Sequence, residues 1–194
     1  TRRSRATSVG GGYRSSAPAP VVDDAPRAPI TPPRDTRGEK LYVLLDGACR
    51  ENAFGLIFSL PGVEEYRSLY VGTRYASVLK YGPVLVNVRP LGEFFQWFFE
   101  QGPSCHAGGF FFSSSTVTEL HAQFQEFLEA RMPNGSKALF RFYDPRITKR
   151  ALILLSDHER ENFRRGISAY YISRHKPDGA SYWTEVLRNG GGNG

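Results

Sequence analysis

The feature that most constrains this chain is a set of short, nearly continuous apolar runs separated by helical patterns. Leu41 to Leu45 (Leu-Tyr-Val-Leu-Leu), Val84 to Val88 (Val-Leu-Val-Asn-Val) and Phe110 to Phe112 place apolar side chains at successive positions. A strand with one wet face alternates in polarity, so runs of this kind mark strands covered on both faces. Asp46-Gly47 closes the first run, and Arg89-Pro90 closes the second.

Each run leads into a helical pattern. After the first, Asn52 is placed to cap a helix in which Ala53, Leu56, Ile57 and Leu60 recur at i, i+3, i+4 and i+7 before Pro61-Gly62 stops it. After the second, Leu91, Phe94, Phe95, Phe98 and Phe99 form one broad apolar face, with Trp97 off it. After the third, Thr116 and Glu119 form a capping box, and Val117, Leu120, Phe124, Phe127 and Leu128 form the inward stripe. Residues 63 to 82 carry no clear period. Tyr66, Leu69 and Tyr70 suit either a turn of helix or a loop pinned by aromatics, and Val78-Leu79 suits a short helix.

A fourth unit occupies residues 137 to 147. Ala138 to Tyr143 reads as a strand, and Asp144 with Pro145 reads as the cap and first residue of a helix bearing Ile147, Ala151, Leu154 and Leu155. Arg141 is the odd residue in this strand, because a guanidinium among aromatics requires a carboxylate partner. Asp46, at the end of the first strand, is its expected mate. Asp46, Arg141, Tyr143 and Asp144 are therefore read as a structural motif. Ser156 with Glu159 caps a further short helix, and Ile167 to Ile172 reads as a last strand.

Alternating strands and helices point to an α/β fold. The expectation is a single domain with a mostly parallel or mixed sheet, flanking helices and right-handed crossovers. It spans residues 39–174. Residues 1–38, rich in Arg, Pro, Gly and Ser, are expected to be a disordered tail or linker, and residues 175–194 a short extension with a disordered Gly-rich end.

The net charge of +6 has to be divided before it says anything about partners. Residues 1–37 hold seven Arg and three Asp, or +4, which leaves 18 basic and 16 acidic residues, or +2, for the rest. The basic signal thus belongs to the tail, and nucleic-acid binding by the folded part is not expected. Two cysteines, Cys49 and Cys105, suit a reducing compartment and small core positions. No apolar run approaches the roughly 18 residues needed to span a bilayer, and no signal sequence opens the chain, so a soluble, cytoplasmic protein is expected.

The usual nucleotide-binding loops are absent from the sequence. Cys105-His106 is an adjacent pair whose side chains would normally diverge; a cysteine nucleophile there stands as an alternative to a plain loop pair. His121 falls on the apolar stripe of the third helix and reads as a core histidine, while His158-Glu159 does not extend to H-E-x-x-H. No cofactor and no metal are expected. The aromatic surplus suits a partner surface, with Tyr70, Tyr75, Tyr81, Trp97, Tyr170, Tyr171, Tyr182 and Trp183 as candidates against core filling.

Leu44-Leu45-Asp46-Gly47-Ala48, Tyr66 to Tyr70, Gly82 to Val86, Gly108 to Ser113 and the block Arg141-Phe142-Tyr143-Asp144-Pro145-Arg146 occur in that order. In this ordered set, covering about residues 40 to 172, the chain resembles the DUF4123 family, the adaptor domain of bacterial type VI secretion. The resemblance implies a non-enzymatic adaptor or chaperone that holds a toxic effector protein and delivers it to the VgrG spike protein. Family members often continue into a second, variable lobe, whereas only about twenty residues follow Arg174 here. The competing readings are a nucleic-acid-binding module that uses the Arg-rich tail and a cysteine-dependent hydrolase.

Overall fold

The computed structural model describes residues 38–188. The tail and Gly-rich end expected to be disordered lie outside the described residues. A six-stranded sheet is built from β1 (Lys40–Asp46), β2 (Val63–Ser68), β3 (Pro83–Val88), β4 (Gly108–Ser113), β7 (Ile167–His175) and β8 (Ser181–Arg188), in the order β2-β3-β1-β4-β7-β8. A separate hairpin pairs β5 (Glu129–Arg131) with β6 (Lys137–Leu139). The helices are α1 (Leu56–Ser59), α2 (Glu93–Gln101), α3 (Val117–Gln125), α4 (Pro145–Leu154) and α5 (Asp157–Arg164).

The α/β domain with flanking helices is present, but its neighbouring strands do not run parallel. All five pairings in the main sheet are antiparallel. The registers give the reason. β1 and β2 are both antiparallel to β3, so the β1–α1–β2 unit does join parallel strands, but β3 is inserted between them. In the same way β3 and β4 are parallel to each other and separated by β1. The alternation of strand and helix misjudged direction between β1 and β3, because the strand β2 that intervenes between them in the chain has no apolar run, and it gave no information about which strands are neighbours.

Both sheet faces are covered, as the apolar runs require. Tyr42 and Leu44 of β1 join Leu85, Phe111, Tyr170 and Ile172 on one face, packed against Leu120 and Phe124 of α3, Ala151 of α4 and Phe163 of α5. Leu41, Val43 and Leu45 point the other way, into a cluster with Val84, Val86, Phe110, Ile57 of α1 and Phe94, Phe95 and Phe98 of α2. The result is three layers, helices over sheet over helices.

Several local expectations shift. Asn52 does not cap α1; it sits in a turn with φ 56°, and α1 begins after Gly55. Residues 63–68 form an edge strand rather than a loop. Lys137 to Leu139 pairs only with β5, and Phe140 to Tyr143 leave the ladder to reach the core from a turn, so Arg141 is not a sheet residue. Both capping boxes form, as does the Asp144 cap with Pro145 behind it. The inward face of α4 is rotated, with Thr148, Ala151 and Leu152 buried and Ile147 and Leu154 exposed. Thr148 fixes this rotation because its hydroxyl donates to the carbonyls of Phe142 and Asp144. The chain also adds a strand after residue 174, since β8 pairs with β7 from Ser181 onward.

Candidate functional site

The end of β1, the starts of β3, β4 and β8 and the end of β7 meet at one end of the sheet. The turn before α4 lies across this end and carries the charged motif. Asp46, the last residue of β1, is buried, and its Oδ1 accepts from Ala48 N at 3.0 Å. Arg141 Nη2 donates to Asp46 Oδ2 at 2.5 Å, so the expected pair is present. Arg141 also lies 3.8 Å from Asp144 and above the ring of Tyr143, 5.7 Å from its centroid. The cap residue Asp144 is held bidentately by Arg146, with Nε at 2.9 Å and Nη2 at 2.6 Å.

The electrostatics follow from these contacts. Burial alone would raise the Asp144 carboxyl, but the hydrogen bonds from Arg146 and the charges of Arg146 and Arg141 outweigh it and hold it below the ordinary value. Burial also works against charge on Arg141, and Asp46 more than compensates. Tyr143, buried and hydrogen-bonded to the Tyr70 hydroxyl at 3.4 Å, is pushed far up and stays neutral. An anion brought to this helix start would meet a carboxylate already in place. The arrangement can lock the turn and α4 onto β1.

The candidate interface aromatics divide by burial. Tyr70 and Tyr170 are core residues, Tyr70 packed on Tyr75 and Tyr170 against Phe111, and are therefore not placed to touch a partner directly. Trp183 is also buried, its indole donating to Phe99 O at 3.0 Å. Trp97 and Tyr171 are half-buried; Tyr171 stacks on Phe110 and donates to Glu185. Tyr75 is half-buried, bonded to Arg74 and Glu129, and lines a cleft of about 430 Å³ beside the β5–β6 hairpin. Tyr81 is well exposed under the ammonium of Lys80.

An aromatic cluster that the sequence reading missed lies on the α1 side of the sheet edge. Phe54, Phe58 and Tyr66 meet edge-to-face with centroids 5.2–6.3 Å apart. Phe58 is 61% exposed and Tyr66 41%. The available signal was the position of Phe58, off the i, i+3, i+4, i+7 stripe of its own helix. Tyr66 lies on β2, which pairs only with β3 among the described residues.

The histidines and the Cys105 thiol turn to separate partners. His121 is buried and its Nε2 donates to Ser68 O at 3.1 Å, which fixes its tautomer. His106 turns to His175, with Nδ1 and Nε2 3.3 Å apart, while the Cys105 thiol donates to the Gly102 carbonyl. Among the described residues no three His, Cys, Asp or Glu side chains converge as a metal site, and no helix is long and apolar enough to cross a membrane.

Fold and site together define an α/β sandwich with a locked charged motif at one sheet end and an exposed aromatic cluster at one edge. The chain belongs to the family described as Domain of unknown function (DUF4123), whose model matches residues 41–162, from β1 into α5. The last two strands, β7 and β8, fall outside the match. The family is associated with adaptors of type VI secretion effectors and is not a known enzyme family. No curated protein and no solved structure matches the chain.

Proposed function

We propose that this protein is a non-enzymatic adaptor, or chaperone, that binds a type VI secretion effector in the bacterial cytoplasm and helps load it onto the VgrG spike protein. Membership of the DUF4123 family supports the class. The observation that carries the binding role is the Phe54–Phe58–Tyr66 cluster beside the edge strand β2. Exposed aromatics next to an open strand edge combine the two elements of strand-addition recognition, apolar anchors and unpaired backbone groups. Tyr81, Tyr75, Trp97, Tyr171 and Tyr182 are further accessible aromatics for such contacts, while Tyr70 and Tyr170 support them from the core.

Co-expression with a candidate effector protein tests the reading. The expected result is a stable complex that withstands high salt and is retained when residues 1–37 are removed. Binding to nucleic acid that falls steeply with salt and disappears with those residues would favour a basic-tail binding module instead.

A further inference from the structure

The two cysteines, far apart in the chain, are brought together by the β1–β4 pairing. Leu45 is opposite Gly108, and Asp46 N donates to Ala107 O at 2.7 Å, so the turn leaving β1 runs beside the turn entering β4. On the first turn, Cys49 N donates back to Asp46 O at 3.0 Å. On the second, residues Gly102–Cys105 form a 3-10 turn closed by Ala107 N to Gly102 O at 2.9 Å. His106 takes the left-handed conformation there, with φ 55°. A β-carbon is disfavoured in that region, so the turn is held in shape by its surroundings. Both thiols are free, both are half-buried against the same apolar cluster, and each weighs on the ionisation of the other.

We propose that Cys49 and Cys105 form a reversible disulfide that clamps the turn after β1 to the turn before β4 when the protein meets a small-molecule disulfide oxidant such as oxidised glutathione. The roles of the two sulfurs differ. Cys49, and then the charge of Arg50, hold the Cys105 thiol below its ordinary value, whereas Cys49 is pushed up by Cys105 and by burial. Cys105 is therefore the attacking thiolate. Its sulfur bonds to one sulfur of the oxidant, the oxidant's S–S bond breaks, and the departing thiolate takes up the proton Cys105 released. Cys49 then attacks Cys105 Sγ and expels the second thiol, which carries away the Cys49 proton. Two protein thiols are oxidised by two electrons, and one oxidant disulfide becomes two thiols. This inference does not depend on the adaptor reading.

The test equilibrates the full chain in graded reduced and oxidised glutathione, quenches with an alkylating agent and maps the peptides by mass spectrometry. The expected result is loss of both titratable thiols together, with a single intramolecular 49–105 linkage that is restored to thiols by dithiothreitol. Cys49→Ser should trap one glutathione on Cys105, and in the wild-type chain Cys105 should be alkylated faster than Cys49 near neutral pH. Two thiols that persist in fully oxidised buffer, or linkages only between molecules, would overturn the proposal. The wild-type measurement decides the matter even if a variant fails to fold.

Discussion

Arg141 and Asp46 form a charged hydrogen bond of 2.5 Å between a turn before α4 and the last residue of β1. Asp46 is buried, while the Arg141 side chain remains 38% exposed. Loss of the cation leaves a buried carboxylate without its main partner, and solvent screening reduces the cost from the fully buried limit. Arg141→Ala is expected to destabilise the domain by about 2 kcal/mol, as for a hydrogen bond to a charged group. The check is urea unfolding of Arg141→Ala, Asp46→Asn and the double variant. A coupling energy near zero would show that the pair does not act as a unit. The same variant separates structure from recognition, since any loss of partner binding should track loss of folded protein.

The pH response should carry the signature of His121. Burial, its first cause, holds the His121 pKa below 6.5, and the bond to Ser68 only partly offsets this. The unfolded chain therefore binds more protons below pH 6.5, and stability falls as pH drops from 6.5 through the lower folded value. His106 is also held low, by burial first and then by His175 and Arg146, and adds to the same slope. His121→Gln, which keeps a donor for Ser68 O, should flatten the fall in stability between pH 7 and 5. An unchanged slope in chemical denaturation would count against a buried neutral histidine.

Tyr170 offers a test with the opposite sign. Its ring is fully buried in the core, and its hydroxyl has no hydrogen-bond partner among the described residues. A desolvated hydroxyl without a partner costs about 1–3 kcal/mol, so Tyr170→Phe should stabilise the protein by about 1 kcal/mol. Thermal unfolding measures this directly, and a lower melting temperature would point to a bond to the hydroxyl in solution.

Much of the core was legible because it is written locally. The runs at 41–45 and 84–88 announce two covered faces, and Thr116-Glu119, Ser156-Glu159 and Asp144-Pro145 announce helix starts, all of which form. What was not legible depends on neighbours. β2 is an edge strand whose Glu64, Glu65 and Arg67 face solvent, so it shows no apolar run. Phe142 and Tyr143 look like strand residues and are equally hydrophobic in the turn they occupy. The meeting of Cys49 with Cys105 follows only from β1 lying beside β4, which no spacing in the sequence encodes.

The most direct measurement is effector capture by variants of the edge cluster. Phe58→Asp and Tyr66→Ser change exposed side chains, so folding, read by circular dichroism and melting temperature, should stay close to wild type. Co-purified effector, quantified by titration calorimetry on the isolated pair, should bind at least tenfold more weakly, or about 1.4 kcal/mol. Wild-type affinity in both folded variants would contradict the assignment of this edge as the effector-binding surface.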